Sequence, residues 1–282
     1  MTKTSKVLLE VKDHSVSKET FQLVKNAEMD FLETIPQPAE NELGKYYESE
    51  DYISHTDAKR SLFEKMYHVV KSYSLNKKVK LIDSFKTEKK TLLDIGAGTG
   101  DFLMQAKTKG WEVTGIEPNE NAIANATKKG ITLHTSLDKI ANEKFNVITL
   151  WHVLEHLPNL ENQIEQISSL LKPNGVLVIA VPNYKSYDAE YYKEFWAAYD
   201  VPRHLWHFSK EGIAQLFSKQ NFGISKILPL IFDAFYVSLL SEKYKNGKMN
   251  YFKAFQIGMR SNSRAKATGE YSSLIYVLRR AK

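Results

Sequence analysis

Leu92-Leu93-Asp94-Ile95-Gly96-Ala97-Gly98-Thr99-Gly100-Asp101-Phe102 is the stretch that decides the fold. An apolar run ends in a carboxylate, passes through three glycines at alternate positions and enters a helix-like pattern. A strand buried on both faces reads as such a continuous apolar run. Glycines straight after it allow a sharp turn and leave room for a ligand against the backbone. The positive end of the following helix then faces that ligand. The stretch therefore predicts a nucleotide-type cofactor site at the carboxyl edge of an open, Rossmann-like α/β sheet.

The spacing narrows the cofactor. A dinucleotide fingerprint is G-x-G-x-x-G, with a helix N-terminus on a pyrophosphate. Here it is G-x-G-x-G, Asp101 stands where the last fingerprint glycine would be, and Asp94 precedes the loop. The run resembles the first motif of the class I S-adenosylmethionine-dependent methyltransferases. That cofactor carries an ammonium, a sulfonium and a ribose diol and no phosphate, so acids near the loop make electrostatic sense. The resemblance implies contacts from Asp94, Gly96, Ala97 and Gly98, with Asp94 reaching the ammonium directly or through water.

The neighbouring segments agree. Trp111 to Asn119 reads as a second strand ending in Glu117-Pro118, about 20 residues past the loop, where such folds place a carboxylate for the ribose hydroxyls. Thr99 to Lys107 and Asn119 to Lys128 read as helices, and Gly130 to His134 as a third strand. Strands alternating with helices at this rhythm predict a parallel sheet. Ser136 and Leu137 follow the third strand, where the adenine is expected. Trp151 and His152 end the fourth, Phe145 to Leu150, beside the expected sulfonium. Leu160 to Leu171 reads as an amphipathic helix, and Lys172-Pro173-Asn174-Gly175 leads into the apolar run Val176 to Asn183, which resembles the fifth-strand motif of the same superfamily. A sixth strand is expected over Phe222 to Leu230 and an antiparallel seventh over Ser272 to Leu278.

The 282 residues suffice for one large α/β domain with additions, or for two small domains. With no cysteine, neither a disulfide nor a thiolate metal site can form. The longest apolar stretch, Ile227 to Leu240, contains Pro229 and Asp233 and falls short of a membrane span. The expectation is a soluble cytoplasmic protein. A net charge of +6 is mild at this length and does not by itself imply nucleic acid.

Residues 1–88 read as an N-terminal leader and helical cap, and residues 89–282 as the methyltransferase domain. Phe21 to Phe31 looks partly helical and Ser61 to Leu75 amphipathic, while Lys77, Lys78, Lys80, Lys86, Lys89 and Lys90 read as a solvated face. The leader resembles that of a methyltransferase subgroup in which it usually begins with a zinc ribbon. Asn26 and Met29 stand where one Cys-x-x-Cys pair is expected, so no metal is expected there. By the same resemblance the segment Tyr46 to His55 folds over the cofactor, which adds Tyr47 and His55 to its contacts, with Arg60 as a further candidate.

After Asn183 the chain is aromatic and irregular. Residues 184–208 are expected to form the substrate loop, since loops leaving the carboxyl edge build the site. Within it, Pro202-Arg203-His204-Leu205-Trp206-His207-Phe208-Ser209 resembles the same subgroup. An oxygen nucleophile needs a base, and histidine titrates near neutrality. His204, His207 and His156 are the catalytic candidates, with Tyr199 as an orienter; packed structural roles for His204 and His207 stand beside that reading. His152-Val153-Leu154-Glu155-His156 also matches the inverted zinc-protease motif, but His152 directly follows a strand, so no metal is assigned.

Residues 231–270 read as a helical insertion. Its part from Ser241 to Lys266 holds seven basic residues and one acid, Glu242. An aromatic loop facing a basic lid suits a small-molecule or glycan-related acceptor, anionic in part, rather than nucleic acid. The reading is methyl transfer from S-adenosylmethionine, at oxygen. An NAD-dependent oxidoreductase, a non-catalytic S-adenosylmethionine-binding protein and an RNA methyltransferase remain as alternatives.

Overall fold

A computed structural model describes residues 7–47 and 62–281, with the backbone alone for 62–67. Its centre is a seven-stranded sheet formed by β4 (Thr91–Ile95), β5 (Glu112–Ile116), β6 (Leu133–His134), β7 (Phe145–Trp151), β8 (Leu171–Pro182), β10 (Phe222–Pro229) and β11 (Ser273–Arg280), in the order β10-β11-β8-β7-β4-β5-β6. The strands from β6 to β8 run parallel, and β11 is antiparallel to both of its neighbours. The chain moves outward from β4 to β5 and β6, then returns to β7 on the other side of β4. This reversal opens a crevice at the carboxyl ends of β4 and β7, where ligands bind in open α/β sheets.

Alternate residues of each strand feed opposite faces. On one face Leu93, Ile95, Ile148, Leu177 and Ile179 pack under α4 (Leu160–Ser169) and α6 (Lys210–Ser218). On the other, Leu92, Val147, Val176 and Val178 pack with Phe102 and Leu103 of α2 (Asp101–Lys107) and with Val79 and Ile82 of α1 (Leu62–Asp83). Asp94 and Thr149 belong to this second face by the same alternation. The helix expected over Ser61 to Leu75 thus runs to Asp83, and Lys77, Lys78 and Lys80 lie on it. The third strand shrinks from the expected Gly130–His134 to two residues, because Gly130 and Ile131 instead close α3 (Glu120–Lys128) by donating to Thr127 and Ala126 carbonyls.

The leader corrects one expectation. Phe21 to Phe31 is not helical: it comprises β2 (Thr20–Lys25), a tight turn and the start of β3 (Phe31–Ile35), with β1 (Val7–Lys12) paired to β2. Phe21 and Leu23 are buried two residues apart, which is strand periodicity. Asn26 ends the run, its side-chain oxygen accepting the backbone N–H groups of Glu28 and Met29 at 2.9 and 2.8 Å. So the turn that the resemblance assigns to a cysteine pair is closed by an asparagine, and Met29 packs into the core. Downstream, β9 (Trp206–Phe208) pairs antiparallel with β3 as the fourth strand. The sheet therefore crosses the boundary expected after residue 88.

Behind this sheet lies an aromatic layer. Phe21, Leu32 and Tyr46 meet Tyr192, Trp196 and Tyr199 from α5 (Tyr187–Tyr192) and the turns after it. Asp188, fully buried, accepts from Trp196 Nε1 at 2.8 Å and from the hydroxyls of Ser261 and Ser272 at 2.6 Å each. That carboxylate ties the loop to β11 and to the insertion, which is a hairpin of α7 (Asp233–Asn246) and α8 (Tyr251–Thr268). Among the described residues no helix is long and apolar enough to cross a membrane.

Candidate active site

The glycine loop leaves β4 with Gly96, Gly98 and Gly100 all at positive φ, 71°, 53° and 73°. Gly96 must lack a side chain, since a Cβ there would lie 2.3 Å from Val153. Around Gly98 the space is open: among the described residues no heavy atom comes within 4 Å of the position a Cβ would take. The amides of Gly96 and Ala97 donate to the Ile116 carbonyl at 2.8 and 2.9 Å, which fixes the loop to β5. Glu117 follows β5, accepting the Gly98 amide on Oε2 at 2.8 Å and the Asn119 amide on Oε1 at 3.0 Å. Its carboxylate is thus clamped beside the loop with lone pairs to spare. Pro118 is exposed on the turn that leads to the Asn119 cap of α3, and Ser136 and Leu137 open the turn after β6.

Asp94, one residue before the end of β4, is almost fully buried and accepts from Thr149 Oγ1 at 2.6 Å. Burial pushes its carboxyl up to about 7, against the pull of that hydroxyl and of Lys78. Lys78 is a residue that the sequence reading missed. Placed among solvated lysines, it instead lays its ammonium 4.3 Å from the Trp151 ring centre, facing Asp94 and Asp233. Burial lowers its pKa. Its neighbours in the run gave no local signal, because only the packing of α1 aims it inward. Trp151 itself packs edge-on to Phe102, and its buried Nε1 has no hydrogen-bond partner among the described residues.

His152 sits beyond β7 at φ 57°, with Nε2 3.1 Å from Asp233 and Nδ1 3.4 Å from Glu155. Burial alone would lower its pKa, but the two carboxylates outweigh burial and raise it to about 10. It is a cation paired to the start of α7. His156 faces elsewhere: its Nδ1 lies 3.0 Å from the Arg203 carbonyl and 3.0 Å from the Tyr47 hydroxyl. The nitrogens of the two histidines in the zinc-protease match therefore meet different partners.

The structure brings the four catalytic candidates into one run of ring contacts, with His204 and His207 at its middle, 6.4 Å apart. His156 and His204 meet edge to face, ring centres 4.5 Å apart. His204 Nδ1 lies 2.9 Å from the Ala198 carbonyl. A carbonyl only accepts, so Nδ1 carries the proton in the neutral ring and Nε2 is the basic atom. Burial, with the His204 ring beside it, pulls His156 down to about 4. His207 and Tyr199 lie in the packed layer, edge to face at 5.4 Å. His207 Nε2 meets Thr34 Oγ1 at 3.0 Å across the β3–β9 pair, and burial holds its pKa well below the usual histidine range.

Glu155 completes the cluster. It is 1% exposed, and neither carboxylate oxygen has a hydrogen-bond partner among the described residues. One donor atom from each of Glu155, His156 and His204 falls within 4.8 Å of the others, a grouping that a metal ion could occupy. The cationic His152 beside it supplies a counter-charge without one. His55 and Arg60 lie outside the described residues, while Tyr47 is placed against His156.

These features together describe a methyltransferase-type cradle, and comparison with known proteins agrees. A family model described as a methyltransferase domain matches residues 64–226, more than half of the chain. The chain belongs to that family. The ubiquinone biosynthesis O-methyltransferase of Haemophilus ducreyi is 34% identical over 108 residues, 33% of this chain and 46% of that protein. The protein of the same name from Rickettsia typhi is 25% identical over 238 residues, 76% of this chain and 92% of that one. The chain spans about half the length (46%) of the first curated relatives that it matches. Among solved structures, a magnesium protoporphyrin IX methyltransferase from Synechocystis with bound S-adenosylmethionine shares the fold at a TM-score of 0.52 and 14% identity, covering 84% of this chain and 94% of that one.

Proposed function

We propose that the chain transfers a methyl group from S-adenosylmethionine to an oxygen of a small-molecule acceptor. The observation that carries this reading is the Glu117 carboxylate clamped to the Gly98 amide beside an open glycine loop. A ribose diol needs a carboxylate acceptor there, a need that NAD shares; the G-x-G-x-G spacing, with Asp101 in place of the last fingerprint glycine, is what argues against a pyrophosphate. The residues fit the cofactor further. Asp94, nearly buried, offers a carboxylate to an ammonium, and the unpartnered Trp151 Nε1 and open Gly98 mark where contacts remain to be made. When bound, the cofactor supplies a methyl carbon ready for in-line displacement.

The chain's part is to position, to exclude water and to take a proton. An acceptor hydroxyl attacks the methyl carbon as the carbon–sulfur bond breaks, and its proton passes to a histidine. His204 Nε2 is the assigned base: its tautomer is fixed by Ala198, while His156, held at about 4, is too weak. His207 and Tyr199 shape the wall behind. An anionic group on the acceptor would meet Lys245 and Lys253, which both lie over the Tyr191 ring, at 5.4 and 5.6 Å. There the basic insertion touches the aromatic loop.

The test is incubation with methyl-labelled S-adenosylmethionine and a pool of small hydroxylated metabolites. Label should enter an organic product, and His204→Ala should slow its formation roughly 10²–10⁴-fold with cofactor affinity nearly intact. Equal turnover in that variant removes His204 from the chemistry, and no transfer to any acceptor class defeats the reading.

A further inference from the structure

The α7–α8 hairpin carries its apolar residues on the wrong side for a helix bathed in water. Helix α8 turns small residues inward: Ala254, Gly258, Ser261 and Ala265, with Ile257. Gly258 admits the Phe235 ring, which would lie 2.6 Å from a Cβ at that position. Outward, Phe252, Phe255 and Met259 are 73%, 58% and 51% exposed. Their spacing of three and then four residues puts them on one face. Seven of the thirteen exposed large hydrophobic residues among those described lie between Ile231 and Met259, so this is a patch and not scatter. A surface helix normally shows the reverse pattern.

The charge carried by the hairpin itself is one-sided, with Arg264 facing the exposed Glu190 of α5. Ser241 to Lys266 holds seven basic residues and one acid. That acid, Glu242, is buried and bonded to the Tyr192 hydroxyl at 3.0 Å and to Asn246 at 2.8 Å, so it does not face outward. Lys248, Arg260 and Lys266 are exposed.

We propose that this hairpin docks on an anionic phospholipid surface. Phe252, Phe255 and Met259 enter the interface, and Lys248, Arg260 and Lys266 lie at the level of the phosphates. A leaflet is the partner that offers negative charge and an apolar layer in one plane. A second copy of the chain would bring one basic patch against another. The hairpin is rooted at Asp233, the partner of His152. The inference stands on the surface alone and does not depend on the reaction assigned to the site.

Sedimentation with lipid vesicles tests it. The full chain should partition at least tenfold better onto phosphatidylcholine vesicles containing about 30% phosphatidylglycerol than onto phosphatidylcholine alone. Removing a cation near the surface costs about fivefold in partitioning, so Lys248→Ala with Arg260→Ala and Lys266→Ala should lose about 100-fold. Phe252→Ser with Phe255→Ser should fall to background; a thermal unfolding midpoint equal to wild type confirms that this variant is folded. Equal binding of the serine variant, equal binding to neutral vesicles, or no binding to either would overturn the proposal. So would a concentration-dependent dimer that the serine variant abolishes while wild type ignores vesicles, because the patch would then join two copies.

Discussion

The carboxyl edge of the large sheet and the aromatic layer behind β9 use the same residue types and differ in how fully their polar groups are satisfied. In the layer, Asp13 accepts the Ser15, Val16 and Ser17 amides at 2.9, 3.2 and 2.7 Å and pairs with Arg203 at 3.1 Å. Burial alone would raise its carboxyl, but these donors hold it below the ordinary range. Asp188 has three donors. At the sheet edge, by contrast, Asp94 has the Thr149 hydroxyl, and Trp151 Nε1 has no partner among the described residues. Buried polar groups are ordinarily paired, so a place where capacity is left over is a place built to receive something. Asp13 and Asp188 are filled and hold the scaffold, while Asp94 and Glu117 keep lone pairs for a ligand.

The largest expected effect breaks the scaffold side. Arg203 joins Asp13, Asp200 and the Tyr46 carbonyl, the last at 2.9 Å. Arg203→Ala should cost about 3–5 kcal/mol of stability by leaving buried charge unpaired. Chemical denaturation measures it, and S-adenosylmethionine affinity of the folded fraction should stay close to wild type. A large loss of affinity with little loss of stability would reverse the division drawn here.

The next effect falls on the edge. Glu117→Ala removes the charge-assisted acceptors for the ribose and should weaken cofactor binding by roughly 10- to 150-fold, from about 1.5–3 kcal/mol for one such bond. Stability should change little, because the lost partners are the two backbone amides of a solvent-edge turn. An unchanged dissociation constant would remove Glu117 from the site.

The smallest effect sharpens the comparison through pH. Asp94 has its folded pKa raised to about 7, above its usual 3.8. The protonated form is therefore favoured in the folded protein; its contribution to stability is full below about 4 and is lost as pH rises through about 7. A cationic ligand prefers the charged form. Its affinity should rise with pH up to about 7, by at most about tenfold per unit, then level off. Calorimetric titrations at several pH values check this, and Asp94→Asn should flatten the profile. A slope that persists in the variant assigns the proton to another group.

The same comparison explains what could be read from residues alone. The edge was legible because each element of it is local: an apolar run, a glycine turn, an acid closing a strand. Leu92 to Asp101 contains its own explanation, and Glu117 needs one further strand. The layer was not legible, because its pairings span the chain. β3 finds β9 some 170 residues away, as the Leu32–His207 pairing and the Thr34–His207 contact show, and no local pattern announces that. Phe21 to Phe31 looked helical because a hairpin with apolar residues on both sides of a turn imitates helical spacing. His204 and His207 look equivalent in sequence; the start of β9 at Trp206 sends one into a strand pair and leaves the other beside His156. Lys78 was hidden for the same reason, since its neighbours on α1 are solvated.

The central claim is that the unsatisfied edge receives S-adenosylmethionine. Calorimetric titration of the unmodified chain with S-adenosylmethionine and, separately, with NAD tests it most directly. The account predicts one-to-one binding of S-adenosylmethionine and no heat with NAD. Binding of NAD with none of S-adenosylmethionine would contradict it and return the glycine loop to a dinucleotide.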